Sequence, residues 1–337
     1  MSSTTIPDFR LTRGTRVSLI GGVASAPLVI FLAVMPFLFA SDVQDALVRL
    51  FFFIIIGTTW NLLAGYAGMV SIGQQAFIGV GAYALVALAT LGGVNPYLAI
   101  VGGAVVAAAL AIPVSFLVFR LSGGYFAIAT WVVAEVVRQI VSRVPALNGS
   151  VGTLTLPSAA LGTTPAWRSA TVFWVGLAAT VVVVGAAYLL MRSRLGGGFT
   201  AIRDEPVAAA SLGVPVMRGK RIVFVVAAAG CALAGGLLAL STLQVRPDSM
   251  FRVDFAVWMI FIVVIGGLGT IEGPIVGAII FFVLERWLSP FGTWYLVVLG
   301  VIAIVITLLL PRGLWGIAAR RVELFPLRQH LTLTGER

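Results

Sequence analysis

Groups able to do chemistry are few in this sequence. One cysteine, Cys231, lies inside an apolar run, and one histidine, His330, lies in the polar C-terminal stretch. One residue of each kind builds neither a metal cluster nor a disulfide framework. A Cys–His nucleophilic pair is not expected across that separation either. Lys220 is the only lysine and Arg221 follows it, so the phosphate-cradling loop that ends in Gly-Lys-Ser or Gly-Lys-Thr is not formed around it. The expectation is a chain with no catalytic residue, no metal, no cofactor and no ATP binding by that route. What remains is Glu135 and Arg138. Three apart, they share one helix face, which Gln139 and Ser142 extend. A charge inside a membrane span is costly and points to function by default. The alternative is an Arg138 that snorkels to the outer interface with Glu135 as its structural partner. Glu272 and Glu285 stand near the ends of apolar runs and are expected at the interface.

The elements that must position these groups follow from composition. The 337 residues are 60% hydrophobic and 10% charged, against about 25% charged in soluble domains. That predicts an all-α polytopic membrane protein in a lipid bilayer. The net charge of +10 is carried almost wholly by arginine. The arginines gather in short inter-helix stretches and at both ends, a pattern of the positive-inside kind rather than of nucleic-acid binding.

Runs near the roughly twenty residues that cross hydrocarbon predict about ten transmembrane helices. They cover 17–40, 47–64, a third from the glycine-rich 65–83 to near Gly92, then 96–119, 124–142, 171–191, 222–243, 255–267, 275–287 and 293–310. The regions 65–95 and 266–288 could each be a broken helix or a re-entrant segment. The first run has no small-x-small cleavage site at its end and reads as an uncleaved span. Asp42 and Asp45 mark a short outer loop. Arg10, Arg13 and Arg16, with Arg312, Arg320 and Arg321, put both ends inside. The organisation is a cytoplasmic tail over 1–16, a membrane domain over 17–310 and a second tail over 311–337.

Two glycine-rich interruptions stand out, one in each half. The first holds Gly68, Ser71, Gly73, Gln74 and Gln75; the second holds Gly267, Gly269 and Thr270. Paired interruptions of this kind point to a substrate path, with Glu135 as a further candidate on it. Close helix packing through small residues is the alternative. Between the sixth and seventh runs lies a polar insert over 192–221. It predicts one short helix, begun by Asp204 or Glu205 with Pro206 in its first turn, and stopped by Gly213 ahead of Pro215. So short a helix is marginal alone, and Val207, Ala208 and Leu212 give it an apolar face for docking.

Four stretches together carry a resemblance. They are Asn61 to Gly73 with Phe77 to Tyr83; Gly124 to Thr130 with Glu135 and Arg138; Ala201 to Gly213 with Ala232 to Leu237; and Gly266 to Thr270 with Gly273-Pro274 and Gly277-Ala278. The chain resembles the longer of the two permease subunits of branched-chain amino-acid ABC transporters over most of 47–310. The resemblance implies the importer permease fold of the branched-chain amino-acid/ribose type. It also implies a second permease subunit in a heterodimer, two ABC ATPase subunits, an extracytoplasmic solute-binding protein and a place in the bacterial plasma (inner) membrane. Arg203, Asp204, Glu205, Ala208, Ala209 and Gly213 then resemble a degenerate coupling motif that sits in a groove of the ATPase. Two positions depart from the family: Gln74 stands where histidine is common, and Asn148 to Thr153 replaces a Thr-Gly-Gly pattern. A permease for urea or short amides would suit a similar lining. From a different class, an ion-coupled secondary transporter would need more acidic groups in the membrane than are present.

Overall fold

The apolar runs become helices, the form in which a chain satisfies its own backbone polar groups in hydrocarbon. The computed structural model describes residues 9–12, 16–148, 152–157, 161, 164–288, 291–292, 294–310, 313–318 and 330–333. In chain order these hold β1 (Phe9–Thr12), α1 (Arg16–Leu38), α2 (Ser41–Asn61) running into a π-helical turn (Leu62–Tyr66), α3 (Gln75–Thr90), α4 (Pro96–Val118) and α5 (Gly124–Arg143). Next come α6 (Pro145–Asn148), β2 (Leu154–Thr155), α7 (Pro165–Arg192), α8 (Arg194–Asp204), α9 (Pro206–Ser211) and α10 (Val216–Thr242). The remainder is β3 (Gln244–Val245), α11 (Pro247–Met250), α12 (Asp254–Gly266), α13 (Gly273–Leu288), α14 (Trp294–Leu309), α15 (Gly313–Ala318) and β4 (His330–Leu333). β1 pairs antiparallel with β4, Phe9 opposite Leu333 and Thr12 opposite His330.

α2 is the core of the molecule. Every residue from 51 to 67 is buried, and α7, α10, α12 and α13 pack around it. Phe53 sets its ring edge-on to Trp258 of α12 at 5.7 Å and to Phe281 of α13 at 4.8 Å, spacings at which ring quadrupoles attract. α10 packs on α3 and α4 in turn. The periphery is inverted relative to a soluble protein. Leu98 and Val105 of α4, Ile128 and Val132 of α5, and Val301 and Leu308 of α14 all point outward, as in a helix bundle solvated by lipid.

Seven helical stretches among the described residues are long and apolar enough to cross a membrane: Ser41–Tyr66, Pro96–Val118, Gly124–Arg143, Pro165–Arg192, Val216–Thr242, Pro247–Gly266 and Val297–Gly316. The chain is thus a multi-pass membrane protein, but the expected ten spans are not all met by length and composition. α3 and α13 have 16 residues each, about 24 Å at 1.5 Å per residue, short of the roughly 30 Å hydrocarbon.

Contacts sort the connections into two ends. At one end β2 pairs with β3, the Leu156 N–H donates to Leu243 O at 2.8 Å and Tyr97 Oη donates to Leu161 O at 2.7 Å. Three parts of the expected outer stretch, Gly149, Ser150 and Val151, lie outside the described residues, as do Arg13, Arg312, Arg320 and Arg321. The opposite end gathers the π-turn, α8 and the 267–273 turn.

One expectation is corrected at the first end. Asp42 and Asp45 are not in a loop, because Ala40 is extended and α2 starts at Ser41, which puts Asp42 in its first turn. An acidic group there favours the positive end of the helix dipole. Glu272, in the 267–273 turn, and Glu285, near the end of α13, are both buried within the protein. Glu285 accepts a hydrogen bond from Arg49 of α2 at 2.5 Å, with the carboxylate side of the pair 8% exposed. Arg49→Ala is expected to leave that carboxylate without its cation and to cost roughly 1–3 kcal/mol, nearer the lower figure because Arg49 is half in solvent. The melting temperature in detergent should fall for Arg49→Ala and recover in part for Arg49→Lys; equal values for all three proteins refute the pair's structural role.

Candidate functional site

The polar insert folds as two helices, not one. Ser193 ends α7 and caps α8, its side chain accepting from the Leu195 N–H at 3.2 Å. The glycine run, which reads as a breaker, lies inside α8. A Cβ at Gly196 would stand 1.8 Å from Met191 O, so no side chain fits where α8 folds back along α7. Phe199 and Ile202 of α8 are buried, and both lie close to Gly219 of α10. Neither Asp204 nor Glu205 caps a helix through its side chain. Asp204 accepts from Arg203 Nε at 3.1 Å, and Glu205 is an extended joint with φ −153° and no capping bond. Pro206 does open α9, and Gly213 does stop it with φ +82°.

The docking face is partly open. Val207 is 74% exposed and Leu212 83%, and Ala208 is exposed beside them. Ala209 turns the other way and is 2% exposed, packed on its own chain. Two large apolar side chains so near full exposure, one on a six-residue helix and one at its C-cap, make an open apolar patch.

Arg203 turns inward. Its Nη1 donates to Gly65 O in the π-turn at 2.6 Å. A Cβ at Gly68, where φ is +68°, would meet Arg203 Cγ at 3.1 Å; one at Gly269, where φ is +76°, would meet Nη1 at 3.0 Å. The insert therefore touches both glycine-rich clusters at once. Asn61 binds them to each other. Its Nδ2 donates to Thr270 O at 2.7 Å, and its Oδ1 accepts from the Gly269 N–H at 2.8 Å. Thr270 Oγ1 donates to Gly267 O at 3.0 Å and accepts from the Gly273 N–H at 3.0 Å. Gly267, with φ +132°, is where α12 ends. The π-turn leaves the Gly65 carbonyl outside the α-helical ladder, and such turns recur at functional sites.

The other half of the first cluster is a buried polar knot. Ser71 and Gln74 are fully buried and Gln75 nearly so. Gln74 Nε2 donates to Ser71 Oγ at 3.3 Å, and Cys231 Sγ lies 3.5 Å from Gln74 Oε1 and 3.3 Å from Thr59 Oγ1. Trp60 Nε1 donates to Ser71 O at 2.8 Å. Gly73 is pressed on α5, its missing Cβ 2.0 Å from Thr130 O. In this conformation these groups face protein and not a cavity.

Residues 43–308 match the family model described as branched-chain amino acid transport system / permease component. The chain belongs to that family. This permease is 26% identical over 321 residues to the high-affinity branched-chain amino acid transport system permease protein LivM of Escherichia coli (strain K12), covering 88% of this chain and 75% of that one. The LivM protein of Salmonella typhimurium (strain LT2) matches with the same figures. A probable branched-chain amino acid transport permease protein LivH of Methanocaldococcus jannaschii is 26% identical over 152 residues, 42% of this chain and 47% of that one. No solved structure matches it significantly.

Glu135 stands apart from both clusters of the permease. Arg138 grips it with two bonds, Nη2 to Oε1 at 2.6 Å and Nε to Oε2 at 2.9 Å, and Gln139 adds a third at 3.0 Å. Arg138 reaches on to Asp248 Oδ1 at 2.8 Å, so the group ties α5 to α11 at the first end, on an exposed face. No group of three His, Cys, Asp or Glu able to hold a metal occurs among the described residues. Gly65 and Asn61 are the residues of this site whose partners spacing does not disclose. Asn61 does carry a signal: it is an amide inside the predicted 47–64 span, a polar group at membrane depth.

Proposed function

We propose that this permease is the transmembrane subunit of a binding-protein-dependent importer of branched-chain amino acids, driven by separate ATPase subunits. The observation that supports the reading is the Arg203–Gly65 contact, which joins the 192–221 insert directly to the broken segments of the core. ATPase subunits would hold α9 by Val207 and Leu212, and α8 would pass their movement through Arg203 to the π-turn and the 267–270 turn. Asn61 makes the two turns move together. Gly68, Ser71, Gly73, Gln74, Gln75, Gly267, Gly269 and Thr270 are then the inner gate of the path, shut in this conformation. Glu135, with Arg138, braces the outer end.

On this reading the chain makes ten crossings, α3 and α13 among them, with the 192–221 insert and both tails on the cytoplasmic side of a bacterial plasma membrane. Its partners are a second permease subunit, two ATPases and a solute-binding protein. The buried amides and hydroxyls around Gln74 support a second reading, transport of urea or short amides. Uptake of radiolabelled leucine and urea in a deletion strain carrying the operon separates the two.

The docking face has its own test. Val207→Asp together with Leu212→Asp is expected to cut co-purification of the ATPase at least tenfold, since burying each large apolar side chain is worth about 1.5–3 kcal/mol. Both residues are exposed, so the fold tolerates the change. Unchanged co-purification refutes the coupling role of α9.

A further inference from the structure

A cavity of about 640 Å³ opens at the end of the permease where α2 begins, within the range of about 300–1,000 Å³ usual for small-molecule sites. It is far from the inner gate in composition as well as position. Phe52, Phe255 and Trp258 give it an apolar, buried floor. Trp258 is held edge-on by Phe53 at 5.7 Å and by Phe255 at 5.4 Å, so its orientation is set before any ligand arrives. The rim carries four charges from two separate segments, Asp45 and Arg49 from α2 with Arg246 and Arg252 from the α11 region.

Two of the four charges are already engaged. Arg49 pairs with Glu285, and Arg252 donates through Nε to Asp254 at 2.8 Å. Asp45 and Arg246 make no ion pair among the described residues. Trp258 lines the floor with its ring, over which the Arg252 guanidinium stands at 6.0 Å; its indole N–H is enclosed by protein.

We infer that this cavity receives a zwitterionic amino acid, Arg246 facing its carboxylate, Asp45 its ammonium, and the aromatic floor its aliphatic side chain. One charge of each sign outside any ion pair of the described residues, beside an apolar floor, matches that ligand; Arg168 acts on Asp45 without pairing with it. A neutral amide uses neither charge, a monocarboxylate leaves Asp45 opposed to it, and an amine leaves Arg246 opposed. The inference rests on the import reading above and adds a receiving site on the permease itself, at the opposite end from the gate.

The test measures radiolabelled leucine binding to washed membranes holding the intact transporter, alongside leucine uptake by cells. Leucinamide, 4-methylpentanoate and urea serve as competitors. Leucine is expected to compete at least tenfold better than any of them. Asp45→Asn should erase its advantage over 4-methylpentanoate, and Arg246→Gln its advantage over leucinamide, while Asp45→Glu and Arg246→Lys keep both. If cells take up leucine but washed membranes do not bind it, or bind it with the same competitor ranking in Asp45→Asn and Arg246→Gln, this site is overturned and the import reading stands. If cells take up no leucine, the import reading and this site fall together.

Discussion

An Arg203→Ala permease is expected to hold its ATPase partners as the wild type does and to move solute ten to a hundred times more slowly. The bond lost is a charged donor on a backbone carbonyl, Nη1 to Gly65 O at 2.6 Å, worth about 1.5–3 kcal/mol, and each 1.36 kcal/mol is about a factor of ten in rate. The patch proposed to meet the ATPase, Val207 of α9 and Leu212 at its C-cap, does not involve this guanidinium. Association and transport should therefore separate. Reconstituted proteoliposomes with ATP and binding protein measure uptake; co-purification measures association; ATP hydrolysis measured beside them should continue without matching uptake. Arg203→Lys keeps one donor and should recover part of the rate. If Arg203→Ala transports at the wild-type rate, the contact is packing and the proposed route from insert to gate is wrong.

The second large effect is on folding. Gly235→Val is expected to yield no monodisperse protein after detergent extraction. A Cβ there would stand 1.9 Å from Ile78 O, and at the same crossing a Cβ at Gly81 would stand 2.3 Å from Ala232 O. Both obstructions are backbone, so α3 and α10 would have to separate along the contact. Overpacking by side chains costs typically about 1–3 kcal/mol, and displacement of one helix from another exceeds it. Gly185→Ala is the control: on α7 nothing lies within 4 Å of its added Cβ, and replacing a helical glycine by alanine favours the helix by about 1 kcal/mol. Fluorescence-detected size-exclusion profiles compare the three. A normal profile for Gly235→Val would show that the helices can pack without their backbones touching.

These two cases mark what the residues alone disclose. Apolar runs locate the helices because hydrocarbon permits little else, and Pro206 and Gly213 locate α9 because their backbone preferences are local. α8 is hidden for the same reason: Gly196 to Gly198 locally favour a break, and the need for a bare backbone at Met191 O is tertiary. Asp42 and Asp45 read as a loop because acidic residues are scarce in spans, yet a helix N-terminus accepts them. The pairing of Arg203 with Gly65, or of Arg49 with Glu285, leaves no trace in spacing, since the partners lie on separate helices. The glycines are legible as special but not for which reason: Gly81 and Gly235 serve close packing, whereas Gly68 and Gly269 adopt a left-handed backbone beside Arg203.

The antiparallel pairing of Phe9–Thr12 with His330–Leu333 has an arithmetical consequence. Strands bonded to each other share one aqueous compartment, because roughly 30 Å of hydrocarbon would otherwise part them. On the proposed topology, with both strands on the cytoplasmic side, the chain between Thr12 and His330 traverses the bilayer an even number of times. That proposal admits eight or ten passages and excludes seven or nine. A protease-protection assay with tags at either extremity should find both digested from the same side.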